Sequence, residues 1–162
     1  MEPIRILICD DHEQFRQGLY MMLATDDSLA VVGEAADGIE AVALTAELQP
    51  DVILMDLQMP RLHGLEATRR IISGSPHIRI LILTRSDDTT TVFHALQAGA
   101  RGYILKGARK ADIVRSIHNV FQGEVVFGAA VAQQVIQHFN RIQTAVQPNE
   151  FPELSEREAE VL

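Results

Sequence analysis

The chain holds 162 residues with a formal net charge of −8; 47% of it is hydrophobic and 22% charged. That balance excludes an intrinsically disordered chain and argues against this stretch gripping a nucleic-acid backbone, which takes clustered Lys and Arg. The single cysteine, Cys9, leaves no internal disulfide framework and no multi-cysteine zinc site. No apolar run reaches membrane-spanning length, and the opening MEPIRILICDDHEQ turns acidic too soon for a secretory signal, so a reducing cytoplasm is the expected compartment.

In chain order, Ile4-Arg5-Ile6-Leu7-Ile8-Cys9 reads as a first strand, followed by a helix over about 12–24 with Met21, Met22 and Leu23 in its core. A strand at 29–34 leads to a helix at 38–48, and a strand at 51–55 to a helix at 64–73. A strand at 78–83 leads to a helix at 88–98, and a strand at 102–105 to a helix at 109–121. Three of the five strands are nearly continuous apolar strings, as strands covered by helices on both faces should be. Five such units predict an α/β fold, a doubly wound five-stranded parallel sheet of (βα)5 type. Its ligand site belongs in the crevice beyond the carboxyl ends of the strands. Gly99-Ala100-Arg101-Gly102 reads as a helix stop and turn, and no GxGxxG or Walker sequence occurs.

After Gly123 the strand signal stops and a linker helix is expected over about 128–146. Within it Ala132, Val135, Phe139, Ile142 and Val146 are spaced 3, 4, 3 and 4, a short coiled-coil-like seam. The simpler expectation is one amphipathic helix packing on its own domain. Pro148 and Pro152 mark a helix-stopping linker, after which Ser155 and Glu158 form a capping box opening another helix. The expected organisation is a core domain over 1–122, a linker over 123–153, and the start of a further domain over 154–162.

Every candidate for chemistry sits at a strand's carboxyl end: Asp10 and Asp11 after the first, Asp56 after the third, Thr84 after the fourth, Lys106 after the fifth. Three converging carboxylates repel one another; a like pair about 4 Å apart costs about 4 kcal/mol at an effective dielectric of 20. They stay ionised only beside a positive group, either Lys106 or a hard divalent cation with oxygen ligands, of which Mg²⁺ is the common choice. One carboxylate can then attack a phosphoryl group in line and form an aspartyl phosphate. An ammonium and a hydroxyl around the phosphoryl oxygens suit Lys106 and Thr84. Taken singly, Asp11 with Gln14 makes a helix N-cap, Asp56 ends a strand, and Met59-Pro60 and Gly64 are loop punctuation. Four strands ending in complementary parts of one reaction are not explained by loop chemistry.

The segments DDHEQFRQGL at 10–19, PDVILMDLQMP at 50–60 with Gly64, Thr84, and AGARGYILK at 98–106 resemble the receiver domain of bacterial two-component response regulators. The resemblance covers residues 1 to about 122 and implies a flavodoxin-like, CheY-like fold. DDH and the later LSEREAEVL resemble the NarL/FixJ subfamily, in which a LuxR-type helix-turn-helix follows the receiver. The resemblance implies that Asp56 accepts a phosphoryl group from a sensor histidine kinase. Asp10, Asp11, Asp56 and the Gln58 backbone carbonyl would hold Mg²⁺, while Lys106 and Thr84 contact the phosphoryl oxygens. Thr84 and Tyr103 would form the switch, altering the face at 86–121. Activation is expected to favour a homodimer through that face or the 132–146 seam, with promoter DNA bound by a part of the protein beyond this fragment. Residues 154–162 are expected to be the cut-off start of that helix-turn-helix domain.

Two positions depart from the family pattern: Arg85 follows the switch threonine where a small residue is usual, and Gly107 follows Lys106 where proline is common. Arg85 is expected either to screen Asp56 or to pair with its phosphate, and it favours the alternative of a constitutive dimerisation module without phosphoryl control. A hydrolase with an aspartyl-phosphate intermediate needs a general acid two residues after its nucleophile, and Gln58 cannot serve. The six histidines lack ligand spacing, and only His12 neighbours the pocket. Cys9 reads as a buried inert thiol.

Overall fold

The computed structural model describes residues 2–85 and 89–154, with side chains as far as Gln143 apart from those of Thr89, Ala129 and Ala130. The chain order is β1 (Ile4–Cys9), α1 (Glu13–Ala24), β2 (Leu29–Ala35), α2 (Gly38–Leu48), β3 (Val52–Met55), α3 (Gly64–Gly74), β4 (Arg79–Thr84), α4 (Thr89–Ala98), β5 (Gly102–Leu105), α5 (Lys110–Phe121), β6 (Val126–Phe127) and α6 (Ala129–Leu154). The strands form one parallel sheet in the order β2-β1-β3-β4-β5-β6. The winding reverses between β1 and β3, which opens a crevice at their carboxyl ends.

Side-chain alternation along each strand sorts the core into two layers. Leu7, Cys9, Ile53, Met55, Ile80 and Ile82 meet α2, α3 and α4 through Ala41, Ala67, Ile71, Val92 and Ala95. Ile6, Ile8, Val52, Leu54, Leu81 and Leu83 meet α1 and α5 through Leu19, Leu23, Ile113, Ile117 and Val120. Both sides of β3 are therefore fully buried, which is why its four residues, Val52–Met55, are all apolar.

Four expectations need correction. The sheet has a sixth strand: Val126 and Phe127 pair with Gly102 and Tyr103 of β5. Two residues are too short to show a period, so only the tertiary pairing reveals them. Met21 is 69% exposed while Leu23 is fully buried, because helix residues two apart point about 200° apart and so face opposite ways. Third, α6 continues as helix through Pro148 and Pro152 to Leu154 rather than ending near 146. Proline's fixed φ of about −65° lies in the helical range, so proline in a helix interior costs about 3 kcal/mol without always ending the helix. Finally, the N-cap of α1 is His12 rather than Asp11, and no side chain caps it. The capping box at Ser155 and Glu158 lies outside the described residues. Gly99 adopts φ 110°, the left-handed turn that ends α4 as its sequence suggests. Among the described residues no helix is long and apolar enough to cross a membrane.

Candidate functional site

The ends of β1 and β3 are tied together before any side chain acts. Asp10 N–H donates to the Ala35 carbonyl and Asp56 N–H to the Cys9 carbonyl, both at 2.9 Å, which carries the two carboxylates to the crevice floor. Asp10 is 2% and Asp56 5% exposed, whereas the Asp11 side chain stands at the mouth, 34% exposed. Thr84 is buried at the end of β4, and its carbonyl accepts the Lys106 N–H at 2.8 Å, so the two residues are held side by side. The structure thus brings Asp10, Asp56, Thr84 and Lys106 to one end of the sheet, with Asp11 above them. Gln58, two residues beyond Asp56, is exposed in the loop whose turn is held by Met59 N–H on the Leu57 carbonyl at 3.1 Å. Tyr103 is fully buried on β5 within the α2–α4 core layer.

Lys106 is the only cation among the inner groups. Its Nζ lies 2.7 Å from Asp10 Oδ2 and 3.5 Å from Asp56 Oδ2, with its side chain 7% exposed. The ammonium also sits 4.5 Å from the centre of the Phe15 ring, a cation–π contact that fixes its direction. Against Asp10, Asp11 and Asp56, one ammonium leaves the site two charges negative. Burial, and next to it the Asp10 charge, push the Asp56 carboxyl above its ordinary value; Lys106 opposes this and Asp11 adds to it. Burial likewise pushes the Cys9 thiol up, helped by Glu40 and Asp10, so Cys9 is an inert core group as its sequence setting suggests.

Several supporting residues escape a reading of the sequence. Arg16 donates from Nη1 to the Asp10 carbonyl at 2.7 Å and from Nε to Glu34 at 2.9 Å, bracing the turn that carries both leading carboxylates. Nothing local distinguishes it from a solvated arginine; the partners become visible only when α1 folds over β2. Phe15 was equally silent, an aromatic on a helix with an ordinary apolar spacing. Gly64 had a signal, but it reads as loop punctuation. A Cβ there would stand 2.3 Å from the Asp56 carbonyl oxygen, and the Gly64 N–H donates to the Leu57 carbonyl at 2.8 Å. Any side chain at 64 would displace the backbone of Asp56.

His12 reaches the pocket. Its N–H donates to Asp10 Oδ1 at 2.8 Å, and its Nδ1 stands 3.6 Å from Asp11 Oδ1 and 3.8 Å from Asp10 Oδ1. Donor atoms of Asp10, Asp11 and His12 all lie within 4.8 Å of one another. Two other histidines have other partners: His63 Nδ1 accepts the Leu65 N–H at the start of α3, and His138 lies against Phe93. Arg85 is exposed and lines a neighbouring groove of about 800 Å³ with Lys106, Arg109, Arg115, Phe127 and Val131, a groove that neither Asp10 nor Asp56 lines.

Residues 6–118 match the response regulator receiver domain. The chain belongs to the response regulator receiver family. This receiver is 41% identical over 158 residues to the response regulator GacA of Pseudomonas viridiflava, an alignment spanning 98% of this chain and 73% of that protein. It is 40% identical over 163 residues to the oxygen regulatory protein NreC of Staphylococcus carnosus, spanning 98% and 75%. Among solved structures, a LuxR-family two-component response regulator from Aurantimonas superposes with a TM-score of 0.81 at 35% identity, over 84% of this chain and 97% of that one. The receiver domain of a NarL response regulator from Mycobacterium tuberculosis gives 0.74 at 35% identity, over 76% and 100%. The receiver is therefore a signalling module of two-component systems with NarL- and LuxR-type relatives.

Proposed function

We propose that this receiver works in the cytoplasm and is phosphorylated on Asp56 by a sensor histidine kinase, and that the phosphoryl group controls self-association and transcriptional output. The observation that carries the reading is the position of the Asp56 carboxylate: buried on the crevice floor, 3.5 Å from a buried ammonium and in an excess of negative charge. A structural ion pair is better served by balanced charge, since an uncompensated buried carboxylate is costly. An excess of negative charge suits a site completed by a divalent cation, which in turn lets the anionic phosphoryl group approach Asp56.

In this reading an Asp56 carboxylate oxygen attacks phosphorus in line as the bond to the kinase histidine nitrogen breaks. Lys106 turns from Asp10 toward the incoming phosphoryl oxygens, a short movement given that its Nζ already lies between the two carboxylates. Thr84 donates its hydroxyl to another of those oxygens. The donor set suits a hard cation: Asp10, Asp11 and Asp56 are carboxylates in charge excess, and the Gln58 carbonyl adds a neutral oxygen. Mg²⁺ held by these four residues would neutralise the phosphoryl charge and relieve the repulsion acting on Asp56. Movement of Thr84 and Tyr103 would pass the change to the surface formed by α4, β5 and α5.

For domain organisation we infer a receiver over 1–122, a linker over 123–153, and the beginning of a LuxR-type helix-turn-helix over 154–162, with promoter DNA as the partner of that output domain. Self-association is assigned to α6, which exposes Ile136, Phe139 and Ile142 by 56%, 59% and 47%. Residues 129–149 carry Arg141 as their only Asp, Glu, Lys or Arg, so two copies of a chain of charge −8 can approach there with little repulsion. The alternative is a constitutive dimerisation module without phosphoryl control, and Arg85, which shares its groove with Lys106, is the residue that would favour it. The decisive experiment is mass spectrometry after incubation with acetyl phosphate and Mg²⁺. Wild type gains one phosphoryl group and Asp56→Ala none; equal labelling of both would sink the assignment.

A further inference from the structure

The two oxygens of Asp10 serve different neighbours. Oδ2 accepts from Lys106 Nζ at 2.7 Å in the interior, while Oδ1 accepts the His12 N–H at 2.8 Å on the side where Asp11 and His12 stand. The pocket therefore has an inner part, made by Asp56, Lys106 and Asp10 Oδ2, and an outer part made by Asp10 Oδ1, Asp11 and His12. The outer part contains a nitrogen donor. His12 Nδ1 lies 3.6 Å from Asp11 Oδ1 and 3.8 Å from Asp10 Oδ1, beyond hydrogen-bond length from both.

Resting on the cation site described above, we propose that His12 is a specificity-determining residue for the cation. Its imidazole shifts the preference of the pocket from Mg²⁺ toward late first-row divalent cations such as Ni²⁺. Ligands about 2.1 Å from an octahedral cation stand about 3 Å apart when adjacent and about 4.2 Å when opposite. The observed 3.6 and 3.8 Å lie between those two values, so closing either pair to the adjacent spacing asks for a shift of less than about 1 Å, within reach of a turn of the exposed ring. The His12 backbone is anchored by its N–H bond to Asp10, while its side chain is 57% exposed and the ring can turn.

The chemistry gives the direction. Mg²⁺ seeks oxygen and retains water, so it gains little from an imidazole. Affinity for nitrogen-containing sites rises along the series Mn²⁺, Fe²⁺, Co²⁺, Ni²⁺. A pocket of carboxylates alone discriminates weakly along that series, and one imidazole at its mouth adds the discrimination. Ni²⁺ bound to Asp10, Asp11 and His12 would occupy the carboxylates that Mg²⁺ uses, so the two cations compete.

The test titrates the full 162-residue chain with Mg²⁺ and separately with Ni²⁺ at pH 7.5, comparing wild type with His12→Ala and His12→Asn. The asparagine variant keeps a side chain suited to the helix N-cap, so a folding defect in His12→Ala does not decide the outcome. Both variants should bind Ni²⁺ at least about tenfold more weakly at the Mg²⁺-competed site, with Mg²⁺ affinity changed less than twofold, a loss on the scale seen when metal-site partners are removed. In wild type, substoichiometric Ni²⁺ should broaden the His12 ring proton resonances, and excess Mg²⁺ should restore them. Unchanged Ni²⁺ affinity in both variants, or equal losses for both cations, overturns the role of His12 and leaves the Mg²⁺ site standing. Failure of wild type to bind either cation overturns the site itself, and this inference with it.

Discussion

The two faces of the sheet are built from similar strands and end differently. On the α1 and α5 face, Leu19, Leu23, Ile113, Ile117 and Val120 close the layer with residues from two helices. The opposite face carries α2, α3 and α4, and its layer also takes in the fully buried Tyr103 and, from α6, Val131. That helix has a total of 26 residues, about 39 Å. The first layer is closed by its own two helices, although Tyr20, Met21 and Phe121 of those helices are also exposed. The other ends in an aromatic from β5 and a helix whose later apolar residues, Ile136, Phe139 and Ile142, are exposed. Under the proposed function, the surface that changes would lie on the face that carries Tyr103 and α6.

The largest expected effect tests the α1 and α5 face. Ile117→Ala deletes a fully buried side chain of α5 and should cost about 2–5 kcal/mol in chemical denaturation, whereas Val131→Ala on α6 should cost about 1–2 kcal/mol. If Val131→Ala proves the costlier, α6 is an integral part of the core and the proposed contrast fails.

An intermediate effect comes from the crevice between the faces. A carboxyl whose folded pKa is raised holds its proton more tightly in the native state than in the unfolded chain. Ionising Asp56 therefore lowers stability as pH rises from the ordinary carboxylate value through its raised one. Asp56→Asn removes that penalty. In metal-free buffer at pH 7 it should raise the melting temperature by about 2–4 °C for each kcal/mol relieved, with the gain shrinking as the pH is lowered through that window. A variant no more stable than wild type at pH 7 would show that Lys106 already balances the site.

The smallest expected effect on stability tests the open end. Phe139→Glu should change it by no more than about 0.5 kcal/mol, since the side chain is already exposed, yet should abolish the dimer formed with beryllofluoride in sedimentation experiments. Met21→Glu on α1, a position 69% exposed, is the control and should leave the dimer intact. The reverse result would move self-association to the α1 and α5 face and invert the comparison.

Most of the architecture was legible because apolar periodicity and turn residues are local signals. The five principal strands and their helices follow from runs such as Val52–Met55 and from stops such as Gly99. The candidate site was legible for the same reason: Asp10, Asp56, Thr84 and Lys106 each end a strand, and parallel strands place all such ends together. Illegible were the elements whose identity lies in a distant partner. Val126 and Phe127 become a strand only beside Gly102 and Tyr103. Arg16 matters because α1 folds it against the Asp10 carbonyl and Glu34, and Gly64 because α3 begins against the Asp56 carbonyl.

By itself the sequence determined the order of the principal elements along the chain and the set of groups at the carboxyl edge, since hydrophobic period and strand-end chemistry operate over a few residues. Only the tertiary structure decided how those groups divide. It set Lys106 on Oδ2 of Asp10 and the His12 N–H on Oδ1, and turned Arg85 toward a groove that neither Asp10 nor Asp56 lines. The Oδ1 bond is local, made two residues along the chain, but the Oδ2 bond joins Asp10 to a residue 96 positions away. No local pattern of residues carries that second contact.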